Sequence, residues 1–442
     1  MIDPRRATWF TAAAIVVIAG AAVPLAGVSI AALIFFILLC TRRPQLALSI
    51  WMIAISFLPI WVATSGFATV PISTFVALAC VAVVGLGGAK FSPVDGIVGA
   101  LVLIAGLATY FAGSPPGELV NIVSLWVVSY LAGRILCAQI GVQRAGSIFA
   151  VVMSAVAVLA VVEFLFGWHP FSEIFMPNLL YEIWSPIQER GGVARSEWAF
   201  GHSIALGGSL ALALPFAITM PAPLLVRVAC VSALFAGVAV TFSRSALISM
   251  VLATALVILF SRSASAGTRT GVAALTGVAA IVIVPSVLAV FTTAGDEVTN
   301  SGAYRGDLLS TIPYMNWLGQ SAVVQISPTG FRTYGRFVSI DSALISVGLD
   351  FGLLLAISLG ALYLVPIVRT LTRRANVAEI ALAGQLPLIL TVAFITQWQA
   401  LLWVVAGFAV SGAIKSSRIV TNGFLHEPSS RGNREFARSI PT

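Results

Sequence analysis

Six arginines stand out in this sequence because each lies in a segment predicted to face away from the cytoplasm. They are Arg190, Arg195, Arg244, Arg305, Arg332 and Arg336. Membrane proteins concentrate lysine and arginine in cytoplasmic loops, so six arginines on the opposite side need a specific reason. Because the guanidinium group binds phosphate oxygens through paired hydrogen bonds, the pattern predicts a site for a phosphate-bearing ligand at the outer face.

The first two of these arginines flank a glycine pair in the segment Arg190-Gly191-Gly192-Val193-Ala194-Arg195. Glycine lets the backbone approach a ligand closely, which favours a phosphate site at this turn. A local salt-bridge network that joins the arginines to Glu189 and Glu197 is the alternative interpretation of the same residues.

Arg244 stands in the segment Thr241-Phe242-Ser243-Arg244-Ser245-Ala246, at the predicted start of a membrane span. Ser243 is a good helix N-cap, which places Arg244 in the first helical turn, where the helix dipole disfavours a cation. A bound anion would resolve this conflict. The alternative is an arginine that extends its charged end to the membrane interface.

The remaining three arginines lie in the second long loop predicted on the outer side. Arg305 follows Tyr304 early in this loop, and Arg332 and Arg336 bracket Thr333-Tyr334-Gly335 near its end. A solvated loop charge is the plainer interpretation of Arg332 and Arg336. Arg305 gains weight only from the family resemblance described below, and all three stay candidate phosphate ligands.

Three residues are candidates for proton transfer at this face: Asp341, His202 and Glu163. Asp341 opens a predicted span and could deprotonate an acceptor hydroxyl, although a carboxylate that stabilises the helix start is the alternative. His202 ionises near neutral pH, but a lone membrane histidine is more often a packing residue. A carboxylate inside a span, such as Glu163, is a functional candidate by default, or else the structural partner of an arginine.

The sequence contains no motif that requires a cofactor. The outer loops hold no Asp-rich metal motif, and the chain has neither a Walker-type loop nor a Rossmann fingerprint. The four cysteines form no disulfide framework and have no metal-binding spacing. We therefore expect no metal and no cofactor. No loop resembles a basic and aromatic surface for nucleic acid.

The elements that position these residues are predicted to be membrane helices. Hydrophobic residues make up 59% of the 442 residues and charged residues only 9%, against about 25% charged in soluble domains. Apolar runs of about 20 residues predict an all-α polytopic membrane protein with about 14 transmembrane helices (12–14) and two long extracytoplasmic loops. The predicted spans are 8–23, 25–40, 45–63, 69–88, 94–112, 118–136, 144–166, 199–219, 222–240, 244–261, 271–291, 340–366, 377–395 and 398–415.

The other eighteen of the 24 lysines and arginines fall on the opposite side of these spans, which orients both termini toward the cytoplasm. We expect a single transmembrane domain over 1–415 in the bilayer of the cytoplasmic (inner or plasma) membrane. Its long outer loops are predicted at 167–198 and 292–339. A basic, disordered cytoplasmic tail is expected over 416–442.

Four stretches, taken in order, make the chain resemble the superfamily of O-antigen ligases and Wzy-type polymerases of bacterial glycan assembly. The stretches are Arg190–Arg195 with Phe200–Gly207, then Phe242–Leu247, Tyr304-Arg305, and Ile340–Leu344 leading to Gly348–Gly352. They lie within residues 185–365. The resemblance rests on their order and on their common side of the membrane.

The resemblance implies a metal-independent, inverting glycosyltransferase. Its donor would be an oligosaccharide linked to a polyprenyl (undecaprenyl) diphosphate, and its acceptor a glycan or a lipid. It implies arginines that hold the diphosphate, here Arg195 and Arg305, with Arg244 as a weaker match. Many ligases of the family carry a His-Asn pair where this chain has Ile340-Asp341, or Asp341-Ser342 if the register shifts by one. The resemblance implies that polymerase-like members tolerate an aspartate there, which favours a polysaccharide polymerase over a ligase.

Two other classes of protein are weighed against this enzyme. A transporter or flippase of lipid-linked oligosaccharide would also have many spans, but its charged residues should line a path through the membrane instead of one face. A scaffold would bind other glycan-assembly proteins without catalysing a reaction. We expect the lipid-linked donor, the acceptor and the bilayer as partners, together with other glycan-assembly proteins under the scaffold interpretation.

Overall fold

The computed structural model describes most of the chain between residues 43 and 425. The described residues are 43–64, 69–85, 89–262, 265–267, 269–274, 276–277, 281, 304, 306–326 and 332–425. The predicted spans 8–23 and 25–40, most of the span 271–291, Arg305 and the tail 426–442 lie outside the described residues.

The described part of the chain is almost entirely helical. Its α-helices are α1 (Pro44–Phe57), α2 (Ile72–Val84), α3 (Pro93–Ala112), α4 (Pro116–Asn121), α5 (Val128–Ile140), α6 (Val142–Phe166), α7 (Leu179–Trp184), α8 (Ser203–Thr219), α9 (Leu224–Val240), α10 (Arg244–Phe260), α11 (Ala343–Phe351), α12 (Leu353–Leu371), α13 (Val377–Ala383), α14 (Leu386–Thr391) and α15 (Thr396–Leu425). A π-helical turn at Ile122–Val127 joins α4 to α5. Short 3-10 helices lie at Trp198–Phe200 and Leu309–Tyr314.

Two small antiparallel hairpins interrupt the helices. Strand β1 (Glu189–Arg190) pairs with β2 (Val193–Ala194), and β3 (Val324–Ile326) pairs with β4 (Arg332–Tyr334). Both hairpins lie in the segments expected to be long outer loops, so these loops contain ordered structure of their own.

Five helical segments of the described chain are long and apolar enough to cross a membrane. They are Pro93–Ala112, Pro116–Ile140, Val142–Phe166, Leu353–Leu371 and Thr396–Ile414. Shorter apolar helices stand at Pro44–Phe57, Ile72–Val84, Ser203–Thr219, Leu224–Val240, Arg244–Phe260 and Val377–Thr391. The helical fold is confirmed, and these helices suit a membrane-embedded chain, while the count of fourteen spans stays a prediction.

The predicted continuous span 340–366 is wrong, because the chain divides it into α11 and α12 at Gly352. This glycine has φ of 99°, and an added Cβ would lie 2.7 Å from the carbonyl oxygen of Trp317. The segment that contains Trp317 therefore packs directly against the break. Sequence hydropathy did not reveal the break, since both halves are apolar. At the other end of the chain, α15 continues to Leu425, beyond the predicted domain end at residue 415.

Helix α8 lies at the centre of the bundle and is buried along nearly its whole length. Elsewhere small residues let helices approach closely, as expected where packing alone joins helices in lipid. Gly407 of α15 lies against α5, so that an added Cβ would be 2.5 Å from the backbone nitrogen of Arg134. Gly133 of α5 faces the carbonyl of Val404 in the same way. Glycine at both positions sets the spacing of α5 and α15.

Charged residues are sorted between the two ends of the bundle. We call one the basic end; it carries Lys90, Arg134, Arg144, Arg262, Arg369, Arg373 and Arg374. Its parts are joined by Arg134, which bonds to Ser411 and to the carbonyl of Lys90, and by the Arg369–Glu379 ion pair. We call the opposite end the loop end, since it carries the hairpin β1–β2, where Ser196 N–H donates to the carbonyl of Val240 at 3.2 Å.

Replacement of Gly407 by alanine is expected to push α5 and α15 apart. Overpacking of this kind costs about 1–3 kcal/mol, so the unfolding midpoint of the purified protein in detergent should fall. Gly106→Ala in α3 is the matched control, because its added methyl meets no atom within 4 Å. Equal midpoints for the two variants would contradict the close contact.

Candidate functional site

The glycine pair of the first arginine segment forms the turn of the hairpin β1–β2. Gly191 and Gly192 have φ of 55° and 74°, and Arg190 pairs with Val193 across the turn. A two-residue hairpin turn with both central residues at positive φ is favoured by glycine. The backbone of the turn thus requires the glycines. The hairpin in turn sets the backbone positions of Arg190, in its first strand, and of Arg195, directly after its second strand.

Arg195 follows the hairpin and is buried, with 5% of its surface exposed. Its Nε donates to the carbonyl of Thr241 at 2.8 Å, and its Nη1 donates to Oε1 of Gln188 at 3.5 Å. Within the described chain its Nη2 is buried without a hydrogen-bond partner. An unsatisfied buried donor on a cation is costly, so this atom is suited to an anionic acceptor.

Arg190 reaches the same place from the first strand. Its Nη1 donates to the carbonyl of Phe242 at 2.8 Å, one residue beyond the carbonyl that Arg195 holds. Phe242 has φ of 46°, a conformation that is unusual for a bulky residue. The two arginines therefore hold a sharply turned backbone immediately before α10.

Helix α10 starts at this turn. The Oγ of Ser243 accepts from the N–H of Ala246 at 3.3 Å, as an N-cap does, and Arg244 is the first residue of the helix. The N-cap predicted from the sequence is therefore observed. We call Arg190, Arg195 and Arg244, with the turn at 241–243, the arginine corner. The guanidinium groups of Arg190 and Arg195 meet there at the N-terminus of the helix that Arg244 begins, an arrangement that favours an anion.

The charge of Arg195 is only partly balanced by the protein. The pKa of Arg195 is lowered to about 9, mainly by burial and also by the charge of Arg190, while Glu197 opposes both effects. Arg195 still carries its proton at neutral pH. Because its hydrogen bonds go to a backbone carbonyl and a side-chain amide oxygen, the local charge stays positive.

Two buried carboxylates stand behind the arginine corner. Glu163 binds Nδ1 of His169 through Oε1 at 2.9 Å and accepts from the N–H of Trp198 through Oε2 at 2.9 Å. Trp198 has φ of 47°, so the carboxylate holds a strained backbone in place. Both Glu163 oxygens are thus engaged, and the predicted catalytic residue has a structural role in this arrangement.

Glu197 accepts a hydrogen bond from an earlier part of the same loop. Its Oε1 accepts from the N–H of Gln188 at 2.9 Å, and burial raises the pKa of Glu197 to about 8, while the Gln188 amide and Arg195 lower it. A cavity of about 10 Å³ is lined by Glu163, His169, Glu197 and Trp198. That volume is about the size required for one water molecule.

His202 caps α8. Its Nδ1 accepts from the N–H of Ile204 at 3.1 Å, and its ring packs edge-on against Trp184 at 5.8 Å. Burial, with the charge of Arg195, lowers the pKa of His202 far below its ordinary value. The ring is therefore neutral and its Nδ1 is occupied, and the predicted role in proton transfer is confined to Nε2.

Asp341 is half-buried and lies just before α11. The N-cap of this helix is Ser342, whose Oγ accepts from the N–H of Ile345, so Asp341 is neither the cap nor a first-turn residue. Its Oδ1 accepts from Oγ of Ser339 at 3.5 Å. The capping alternative is thus removed, and the assignment of Asp341 as a base stays a prediction.

Arg332 and Arg336 form ion pairs in the segment predicted to be the second long outer loop. Nη1 of Arg332 lies 2.9 Å from Oε1 of Glu118 and 3.8 Å from Oδ1 of Asp350. Arg336 pairs at 3.0 Å with Asp307, and both side chains are mostly exposed. These carboxylates balance the arginine charges, so both residues are less suited to a diphosphate than the arginine corner is.

Sequence reasoning missed several residues on which the site depends. Oε1 of Gln188 accepts hydrogen bonds from both Arg195 and Ser203. The backbone carbonyls of Thr241 and Phe242 accept from Arg195 and Arg190, respectively. Tyr334 is buried beside Arg332 and Asp350, and burial raises the pKa of its hydroxyl. A backbone carbonyl leaves no signal in the sequence, and a glutamine in a loop is not distinctive.

The raised pKa of Glu197 predicts a dependence of stability on pH. The folded state binds this proton more tightly than the unfolded chain, whose ordinary value is 4.5. The resulting stabilisation is complete below pH 4.5 and is lost as the pH rises through about 8. In the variant Glu197→Gln the unfolding midpoint should fall less between pH 5 and pH 8 than in the wild type.

Thermal unfolding in detergent across this pH range is the measurement. Glu182→Gln makes the same chemical change at an exposed position of α7, and it should keep the wild-type pH profile. If the profile of Glu197→Gln also runs parallel to that of the wild type, the buried carboxyl does not bind its proton more tightly in the folded state.

Comparison with known proteins identifies no relative of this chain. No family model matches the chain, no curated protein matches it and no solved structure matches it. The resemblance to O-antigen ligases and Wzy-type polymerases therefore stays a prediction from four sequence stretches, and the site is interpreted from its geometry.

Proposed function

We propose that this chain is a glycosyltransferase of bacterial surface-glycan assembly. It transfers or polymerises oligosaccharide units from a polyprenyl-diphosphate-linked donor at the outer face of the cytoplasmic membrane. The observation that carries the proposal is the arginine corner, where the buried Nη2 of Arg195 has no hydrogen-bond partner in the described chain. A diphosphate supplies the acceptor oxygens that this atom and the helix N-terminus require.

The orientation in the proposal follows from the two ends of the bundle. Lysine and arginine collect on the cytoplasmic side of membrane proteins, so the basic end faces the cytoplasm and the loop end faces outward. The arginine corner then opens where a lipid-linked glycan is displayed after its assembly. The polyprenyl chain stays in the bilayer beside the helices.

The reaction breaks the bond between the anomeric carbon of the donor sugar and the diphosphate oxygen. The electron pair of this bond leaves with the diphosphate, and the arginine corner stabilises the charge that develops there. An acceptor hydroxyl attacks the anomeric carbon from the opposite face, which inverts the configuration. The proton of that hydroxyl passes to a base, and no metal or cofactor takes part in the scheme.

Asp341 is the base that we assign. Glu163 has both carboxylate oxygens engaged by His169 and Trp198, and His202 has its Nδ1 engaged by a backbone amide. Asp341 is half-exposed, and its helix is capped by Ser342. Its carboxylate is therefore partly open to the outside of the bundle and can approach an acceptor that enters from the outer side.

Removal of one corner arginine is expected to lower the turnover rate about 10²–10³-fold, the effect of removing a comparable charge-stabilising donor. Arg195→Gln and Arg244→Gln are the variants, and Arg144→Gln at the basic end is the control that should keep wild-type activity. The assay follows the release of polyprenyl diphosphate and the growth of glycan length in proteoliposomes supplied with the lipid-linked oligosaccharide of the host.

The products distinguish the function classes. Release with lengthening glycans indicates a polymerase, and release without lengthening indicates a ligase that needs another acceptor. Movement of intact donor across the bilayer without release would overturn the enzyme and favour the transporter or flippase. Donor binding with neither release nor movement would favour the scaffold.

Burial of the site also predicts how salt acts on donor binding. Exposed charge pairs are screened at a Debye length of about 8 Å near physiological ionic strength, whereas buried pairs are screened much less. The affinity of the wild type for a polyprenyl diphosphate should therefore fall only a few-fold between 0.05 and 0.5 M salt, as measured by equilibrium binding in detergent. A fall of several hundred-fold would place the phosphate at exposed charges instead.

A further inference from the structure

A groove of about 330 Å³ runs between α3, α12 and α15, away from the arginine corner. Val98, Leu359, Leu362, Trp403 and Ala406 are among the residues that line it, and nearly all of its wall is apolar. A dry apolar cavity of this size binds apolar molecules instead of water. The groove is therefore suited to a hydrocarbon chain.

Two of the helices that wall the groove, α3 and α12, are themselves exposed on the outside of the described bundle. Only 22% of the residues in the apolar windows of α3 and α12 are buried, and large side chains such as Leu103, Ile357 and Leu364 are more than half exposed. In a membrane this surface is covered by lipid. The groove is partly open to that surface, so a lipid chain can enter from the side.

The groove ends at the basic end of the bundle. Arg369, Glu379 and Ser92 line it there, and Arg369 is paired with Glu379. Arg373 and Arg374 follow the end of α12 and are exposed, and the N–H of Arg374 donates to the carbonyl of Arg369. This bond keeps the backbone of Arg374 beside Arg369, at the polar mouth of the groove.

A third exposed cation stands on the other wall. Lys90 lies two residues before Ser92 and is exposed, and its carbonyl is held by Arg134. Asp95 also lies at this end, where it is bonded to Arg134 and Tyr130. The carboxylates Asp95 and Glu379 are thus each bonded to an arginine, and Lys90, Arg373 and Arg374 leave a net positive mouth.

We infer that the groove binds one anionic phospholipid, with its acyl chain between α3, α12 and α15 and its phosphate at Lys90, Arg373 and Arg374. Basic pockets between membrane helices on the cytoplasmic side bind anionic headgroups in this way. The headgroup lies at the end of the bundle opposite to the arginine corner. The inference is therefore independent of the proposed glycosyl transfer.

Native mass spectrometry of the full-length protein, titrated in detergent with dioleoyl phosphatidylglycerol and separately with dioleoyl phosphatidylcholine, tests this inference. The wild type should retain one phosphatidylglycerol in preference to phosphatidylcholine. Leu362→Trp fills the groove and should reduce retention of both lipids at least tenfold. Ile357→Trp adds the same side chain to the exposed face of the same helix and should leave retention unchanged.

A second pair of variants tests the headgroup site. Each basic residue near an anionic headgroup contributes about fivefold in affinity, so Arg373→Gln with Arg374→Gln should lower phosphatidylglycerol binding roughly 25-fold and leave phosphatidylcholine binding unchanged. Arg144→Gln with Arg262→Gln removes the same charge at the same end of the bundle and should have no effect.

Three results would overturn the inference. The first is equal retention by the wild type and Leu362→Trp, which would show that no lipid occupies the groove. The second is equal loss of phosphatidylglycerol in both double variants, which would show a diffuse attraction to the whole basic end. The third is displacement of the bound lipid by undecaprenyl phosphate, without any effect of Arg373 and Arg374, which would assign the groove to the tail of a polyprenyl carrier.

Discussion

Burial of the Arg195 guanidinium is the constraint on which the loop end of this protein depends. A buried cation is tolerated only where its donors find acceptors, and here the acceptors come from Gln188 and from the turn that precedes α10. That requirement fixes the hairpin β1–β2 against α10. The third guanidinium nitrogen, Nη2, has no hydrogen-bond partner within the described chain.

Two buried carboxylates near Arg195, those of Glu163 and Glu197, stabilise the surrounding loop but do not neutralise the charge of the arginine. Glu163 holds the backbone of Trp198 and the ring of His169, while Glu197 holds the backbone of Gln188. Each carboxylate is therefore satisfied by backbone amides or an imidazole, and within the described chain neither lies within 4 Å of Arg195 as an ion pair. The positive charge of the arginine corner stays available to a ligand, because the two carboxylates accept hydrogen bonds from the backbone of the loop instead of pairing with Arg195.

The arginines at the two ends of the bundle differ in their hydrogen-bond partners. At the basic end, Arg134 and Arg369 are bonded to carboxylates, carbonyls and a serine, and they join α3, α5, α12, α13 and α15 together. At the arginine corner, Arg190 and Arg195 each donate to a carbonyl of the turn before α10, and Arg195 also donates to Gln188. Nη2 of Arg195 is buried without a partner in the described chain, so this arginine keeps one donor for a ligand.

The sequence by itself determined the membrane class, the helical content, the N-cap at Ser243 and the concentration of unusual arginines in three segments. These follow from composition, hydrophobic run length and local hydrogen bonding, which act over a few neighbouring residues. Only the tertiary structure decided that Arg190 and Arg195 meet at the start of α10, that Arg332 is balanced by Glu118 and Asp350, and that Gly352 divides a predicted span. Each of these depends on contacts between segments far apart in the chain, where the partner is a backbone carbonyl or a distant carboxylate that hydropathy and spacing do not identify.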